Sequence, residues 1–552
     1  MSTLNDVVLS YVLQNAVFYG GKASAGAVMG KILGAHPELR NKVNEVRRAV
    51  EEAVKNVNAM SPDEQKKMLK GKSPGMLKKE EKKRMGLPEI PGAVKGKFVT
   101  RFAPSPTGPL NLGQLLRAAM LPYMYARKYD GKFILRIEDT DPKNITKDFY
   151  GMIMEDLLTT GVKWDKMVKE SDSMEVYYGH AEELIRKKKA YVCSCPAEEF
   201  KKSKLENKEC GCRSSASLQA WRDMLAGKYK EGEVIVRYKT SMGHKNPAMR
   251  DPPMLRVVKG KHPLKGTQYR VWPLYNFACA VEDHILGVTH VFRGKEHEHN
   301  TAVQKLLYDA FGWEMPYVVN FGMVYLPGTK IHTRDMKEWI REGKVDGWDD
   351  PRLPTVRALL RRGFQPGALR KFAEDVGMTK NDIRVGWENL EGINRKMIDS
   401  LSNRYMVVTE PVSISIKGAP AIREAQELFH PDFPKRGKKR LPVDLQEVYI
   451  SGHDFRHLKG KAVRLKGLAN VALGKKANYL GNEITADTPK IQWVSKPNVN
   501  VNLMTPEGKQ SGLGEVNMKN LKEGTLIQME RIGFGLIDSV KGREVTVYFA
   551  HK

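Results

Sequence analysis

Residues 98–138 read FVTRFAPSPTGPLNLGQLLRAAMLPYMYARKYDGKFILRIE, and this stretch restricts the fold more than any other. FVTRFA (98–103) reads as a buried strand, and the prolines and glycine of 104–109 then break it. Residues 112–129 read as a helix bent at Pro122, and KFILRIE (132–138) reads as a second strand. Strand, turn, helix and strand in this order form the unit of a parallel sheet. Such sheets take ligands at the carboxyl ends of strands, where helices begin. Free backbone N–H groups and the helix dipole favour phosphate there. The 104–109 run lets backbone approach a ligand closely, and the side-chain amides of Asn111 and Gln114 add donors beside it. The chain has no GxxxxGK[ST] and no well-placed GxGxxG, which excludes an ordinary P-loop or dinucleotide fold.

The remaining chain surrounds that unit with other textures. Residues 1–70 read as helices only, with apolar steps of three and four between Pro37 and Met60 and a capping-box spacing at Ser61-Pro62-Asp63-Glu64. Residues 71–96, rich in charge, Gly and Pro, read as a linker. A second sheet-like region follows at 269–334, so 97–190 and 269–334 are expected to be two halves of one domain interrupted by 191–268. Residues 335–405 read as a helical connector, and 406–552 as short alternating strands of β-barrels.

At 552 residues the chain is expected to hold roughly three to five domains. Lys and Arg total 92 against 64 Asp and Glu, a net charge of +28 spread over clusters at 66–84, 127–132, 186–189, 435–440 and 459–476. A long polyanion touching several domains fits that spread better than a membrane patch. The absence of an apolar run of about 18 residues excludes a membrane-spanning helix, and no secretory leader is legible, so a cytoplasmic location is expected. Five cysteines are too few for a disulfide scaffold in a chain of this size. Four of them form two close pairs, Cys193/Cys195 and Cys210/Cys212, a set suited to a tetrahedral structural Zn2+ site or, alternatively, to two inert or disulfide-linked pairs.

RFAPSPTGPLNLGQ (101–114) resembles the first signature of class I aminoacyl-tRNA synthetases. In the glutamate/glutamine branch that signature ends in His-x-Gly-His; here Gly113 is kept, and Asn111 and Gln114 replace both histidines. FILRIEDTDP (133–142) resembles the next block of glutamyl-tRNA synthetases, with Asp141 where glutaminyl enzymes carry Asn. Residues 271–297 resemble the amino-acid-binding block, and GWDDPRLPTVRALLRRGF (347–364) the segment after the second signature. With a helical front and a barrel-like back, the chain is most similar to the archaeal type. The resemblance implies a multidomain α/β fold: a Rossmann-like catalytic domain with an inserted acceptor-binding domain, an N-terminal helical domain and a C-terminal β-barrel anticodon-binding region.

It further implies ATP-dependent ligation of glutamate to tRNA(Glu), with glutamine-type tRNA as a second candidate substrate. ATP with Mg2+ is implied, no membrane is, and a monomer is expected. Arg101 would read the substrate's side-chain carboxylate with Tyr275, and Arg293 its α-carboxylate. Glu138 would accept the α-ammonium beside Ser105 and Ala103, while Cys279 stands where the bacterial pattern has Asn. Pro104, Thr107, Gly108, Glu296 and His297 fall at nucleotide positions. In LPGTKIHTR (326–334) Lys330 matches the second-signature lysine, with Thr329 before it. Arg404, Tyr405, Lys439 and Arg440 are candidate anticodon contacts. Because both signatures are altered, a relative that binds tRNA without charging it efficiently is the second reading.

Overall fold

The computed structural model describes residues 3–77, 86–214, 218–328, 332–484 and 487–552. The chain divides into two compact units, Met1–Pro88 and Glu89–Lys552.

The front unit packs α1 (Leu4–Phe18), α2 (Ala25–Ala35), α3 (Val43–Asn58) and α4 (Pro62–Lys72). Val46, Val50 and Val57 recur on one face of α3 and join Val8, Val12, Leu13, Ile32 and Leu69 in the core. The sequence signal at Ser61 is realised: its hydroxyl accepts from the Glu64 N–H, Glu64 accepts from the Ser61 N–H, and Pro62 occupies the first turn. The helices continue into a short turn at Pro74–Leu77.

The second unit begins with a five-stranded parallel sheet in the order β3-β2-β1-β8-β9, in which β8 is His290–Gly294 and β9 Tyr317–Phe321. Here β1 is Val99–Phe102, β2 Lys132–Ile137 and β3 Lys166–Lys169. Between β1 and β2 the chain is helical from residue 112, as a π-helical Gln114–Met120 followed by α5 (Leu121–Lys128). The expected bend is therefore a change of helix type that starts before Pro122. π-turns are rare and concentrate at functional sites. Gly131 lets β2 start against β1, since a Cβ there would lie 2.1 Å from the Phe98 carbonyl oxygen. α6 (Lys147–Thr159) and α7 (Met174–Arg186) complete this half.

A four-stranded antiparallel sheet follows: β4 (Ala190–Cys193), β5 (Ile235–Tyr238), β6 (Pro253–Val257) and β7 (Val271–Pro273). It carries α8 (Ala197–Leu205) and α9 (Leu218–Leu225), and Trp221 and Trp272 fill its core. From β7 the chain passes through Leu274 into α10 (Tyr275–Ile285), then β8 (His290–Gly294), α11 (Glu298–Phe311) and β9 (Tyr317–Phe321), which rejoin the parallel sheet. The region expected to be helical holds α12 (Thr333–Arg341), α13 (Val356–Arg361), α14 (Pro366–Val376) and α15 (Trp387–Ile398). It also supplies β11 (Ile383–Arg384), paired in parallel with β10 (Val324–Tyr325).

Beyond residue 402 two barrel-like seven-stranded sheets form, with a separate hairpin of Glu424–Leu428 and Lys438–Pro442. Two expected anticodon contacts are corrected here. Tyr405 is buried in one barrel core. Lys439 is also buried, with its ammonium 2.5 Å from Glu515 Oε2 and donating to the Arg404 carbonyl. Arg404 is partly buried beside Asp399, and Arg440 alone of the four is exposed. Among the described residues no helix is long and apolar enough to cross a membrane.

Candidate active site

Strand periodicity and register place the charged side chains. Arg101 pairs with Ile134 across β1 and β2, and Thr100 pairs with His290 across β1 and β8. Side chains alternate along a strand. Arg101, Arg136, Glu138 and Arg293 therefore share one face of the sheet. α10 covers that face with a stripe at four-residue steps: Tyr275, Cys279 and Asp283.

Asp283 is the buried hub. Its Oδ1 accepts from Arg101 Nε at 3.0 Å and from Arg136 Nη1 at 2.6 Å, and its Oδ2 accepts from Arg101 Nη2 at 3.4 Å. Burial alone would raise its pKa, but the Arg101 and Arg136 charges override this and hold it down to about 2. Arg101 in turn is burial-penalised, yet the Asp283 carboxylate keeps its pKa above the ordinary value. Arg136 is fully buried and donates to Glu138 Oε1 at 3.0 Å, with Glu170 3.4 Å away. Burial and the neighbouring Glu138 charge push Glu170 well up. Arg101 and Arg136 thus meet Asp283, Glu138 and Glu170, while Arg293 on the same face meets no carboxylate among the described residues, an excess of positive charge at its position.

That excess borders a cavity of about 530 Å3 at the carboxyl ends of β1 and β8. Arg101, Glu138, Tyr275 and Arg293 form one side. Arg293 is held by Gln304 Oε1 at 2.9 Å and Thr301 Oγ1 at 2.6 Å, while its buried Nε has no hydrogen-bond partner among the described residues. Tyr275 packs against His297 with ring centroids 5.5 Å apart, and burial pushes the His297 pKa down. The other side is the turn after β1 (Ala103, Pro104, Ser105), the helix start (Asn111, Gly113, Gln114), and Glu296. The turn is pinned to β2 by the Glu138 N–H donating to the Pro104 carbonyl at 3.0 Å.

Three expected site residues do not reach the cavity wall. Cys279 lies wholly buried behind it, its sulfur 3.6 Å from Arg101 Nη2 and 3.3 Å from Arg136 Nη2. The helix stripe directs it into the ion cluster, and burial, with Asp283 next, pushes its thiol up to about 11. Gly108 is packed against the start of α12, where an added Cβ would come within 2.6 Å of Thr333 Cγ2. Thr107 sits in the same turn outside the cavity. Thr329 and Lys330 lie outside the described residues.

Residues 97–400 match the family tRNA synthetases class I (E and Q), catalytic domain. Residues 402–488 and 490–538 match two anti-codon binding domains of tRNA synthetases class I (E and Q). The glutamate–tRNA ligase of Pyrococcus furiosus is 45% identical over 574 aligned positions, covering 100% of both chains. That of Pyrococcus abyssi is 45% identical over 570, covering 99% of each. The chain belongs to the class I glutamyl/glutaminyl-tRNA synthetase family. Its likeness lies with the archaeal glutamyl type, and these full-length matches favour an active synthetase over an impaired relative.

Sequence reasoning missed three residues of this synthetase's site. Arg136 had a signal, a cation in the middle of the apolar run FILRI, and Asp283 had another, its four-residue step from Cys279. Arg117 had only its distance from Gln114. It is 1% exposed, lines the cavity, and donates through Nη1 to the Gly322 and Thr379 carbonyls. Its buried Nε and Nη2 have no hydrogen-bond partner among the described residues.

The synthetase's four clustered cysteines converge in the inserted sheet. Cys195 and Cys210 sulfurs are 3.2 Å apart, and the Cys193–Cys210 and Cys195–Cys212 pairs are each 3.7 Å apart. All four sulfurs lie within 4.8 Å of one another. Tetrahedral ligation with Zn–S near 2.3 Å sets sulfurs about 3.8 Å apart, so the set fits Zn2+ with no open position.

Proposed function

We propose that the synthetase activates glutamate with ATP, forming glutamyl-adenylate and pyrophosphate, and then transfers the glutamyl group to the 2′-hydroxyl of the terminal ribose of tRNA(Glu). The observation that carries this reading is the cation-rich sheet face beside a helix start in one cavity. Arg101, with Tyr275, takes the substrate's side-chain carboxylate, and Arg293, which lines the same wall, takes its α-carboxylate. Glu138 accepts from the α-ammonium. The α-carboxylate oxygen then attacks the α-phosphate, a step that needs positioning and charge stabilisation more than a strong base. The turn after β1, the helix start and Glu296 hold the nucleotide, which brings Mg2+ with it. Lys330 and Thr329 complete the phosphate contacts. Cys193, Cys195, Cys210 and Cys212 hold a structural Zn2+ that pins the inserted acceptor-binding sheet. The two barrels read the anticodon. We further assign a monomeric state and a cytoplasmic location, with glutamine-type tRNA a second candidate acceptor.

The test is ATP–pyrophosphate exchange in the presence of tRNA, run with glutamate and with glutamine, followed by charging of both tRNA species. Glutamate-dependent exchange is expected; exchange at background with tRNA still bound would overturn the reading.

A further inference from the structure

α14 ends at Val376 and α15 starts at Trp387, and the chain between them passes behind the cavity wall. Three separate segments of that wall meet it within Thr379–Asp382. The first is the helix after β1, where Arg117 Nη1 donates to the Thr379 carbonyl at 3.2 Å. The second is the stretch from β9 into β10. The Gly322 N–H donates to the same carbonyl at 2.8 Å, and the Met323 N–H donates to Asp382 Oδ1 at 2.7 Å. Backbone lies directly on backbone here, since a Cβ on Gly322 would come within 2.3 Å of the Asn381 carbonyl. The third is the turn after β8, where Lys295 Nζ lies 2.8 Å from Asp382 Oδ2. Lys295 precedes Glu296, which lines the cavity, as does Met323. The β8–β9 ladder ends at the Gly294–Phe321 pair. Beyond it the two chains part, and Asp382 joins them where the sheet no longer does.

We propose that Asp382 is a positioning residue for the nucleotide: its one carboxylate, shared between the Met323 N–H and the Lys295 ammonium, sets the spacing of the two wall segments that leave the end of the β8–β9 ladder. It rests on the ATP-binding reading above. Both contacts are charge-assisted, which makes them short and directional. Aspartate holds its carboxylate on a short stem, so it fixes this spacing more tightly than the neighbouring link from Lys380 to Glu298, whose lysine is long and mostly exposed. The Lys295–Asp382 pair is itself more than a third exposed on both sides, so it adds little to global stability, and its effect is local geometry. The amino-acid side of the cavity lies elsewhere. Arg101, Glu138 and Tyr275 stand at β1, β2 and α10, and Arg293 lies within the ladder.

Three variants dissect the link. D382A removes both contacts, D382N keeps an acceptor for the Met323 N–H and loses the charge, and K295M removes only the ammonium. All three are expected to fold with little change in Tm. By equilibrium titration the affinity for ATP should fall about tenfold in D382A and by less in D382N and K295M. In exchange, KM for ATP should rise in the same order while KM for glutamate holds. The K295M/D382A double variant should bind ATP no more weakly than D382A, because the two residues act as one link. Equal rises in both KM values would mark a general loosening and overturn the proposal. So would a natural ATP affinity in D382A, or additive losses in the double variant. Exchange at background in a natural chain that binds ATP would remove the ligase reading alone, since the titration still tests the link. A natural chain that fails to bind ATP would overturn both.

Discussion

Two buried ion clusters in the second unit look alike on paper and behave differently. In the barrel region Lys439 and Glu515 meet one to one, 0% and 3% exposed, and Glu515 also accepts from the Met406 N–H. Beneath the cavity Arg101 and Arg136 meet Asp283, Glu138 and Glu170, while Arg293 on the same face meets no carboxylate among the described residues and lines open space. A balanced buried pair is complete within the protein and joins elements. An unbalanced one is incomplete until an anion arrives, and that separates a binding site from a structural pair.

The largest expected effect lies in the balanced pair. K439M leaves Glu515 buried without its cation, and breaking such a pair costs about 3–5 kcal/mol. Urea denaturation should show that loss, while exchange by the folded variant stays at the natural rate. An intact stability would place Lys439 outside the joint, and a lost exchange rate would erase the distinction between the clusters.

Next comes the unbalanced cluster. R293M removes a guanidinium with no carboxylate partner among the described residues and leaves the buried Gln304 oxygen without its donor, a cost of about 1–3 kcal/mol, below that of K439M. Hydrogen bonds to charged groups are worth about 1.5–3 kcal/mol, so KM for glutamate should rise between about tenfold and a hundredfold. KM for ATP should change little. A larger rise for ATP than for glutamate would move Arg293 out of the amino-acid side of the cavity.

Asp283 links the comparison to pH. Its folded pKa is about 2, against an ordinary 3.8, because Arg101 and Arg136 outweigh its burial. A depressed folded value gives stability that is complete above the unfolded pKa and is lost as pH falls toward the folded one. The shift corresponds to about 2 kcal/mol. The stability gap between the natural chain and D283N should therefore be constant from pH 7 to 5 and narrow as pH falls below 3.8. A gap that does not narrow would show that Asp283 acts through packing and not through its charge.

Legibility in sequence followed the same divide. The parallel sheet was readable because apolar runs, a Pro/Gly turn and a helical segment come in a fixed order, and the front cap was readable because Ser61 and Glu64 lie three apart. Arg101, Glu138 and Arg293 were readable through the family resemblance. Their shared face is a matter of register, which pairs residues almost 200 positions apart and leaves no local trace. For Cys279 the deciding factor is the pitch of α10, which points it into Asp283's cluster and not into the cavity.

The smallest effect tests the same limit on one strand. Lys438–Pro442 alternates exposed and buried, so Lys439 faces in and Arg440 faces out. Two adjacent cations with the same sequence signal thus have opposite surroundings, and Leu441, buried in the neighbouring core, shares the face of Lys439. Arg440 is 78% exposed, with Glu424 3.8 Å away. Exposed pairs of this kind contribute about 0–1 kcal/mol, so R440A should leave the denaturation midpoint nearly unchanged. If Arg440 touches phosphate, R440A should weaken tRNA binding and reduce the salt slope of log K by about 1, uniformly across tRNA sequences. A destabilisation rivalling that of K439M would mean that exposure does not separate the two cations, and the contrast between balanced and unbalanced charge would have to be redrawn from packing alone.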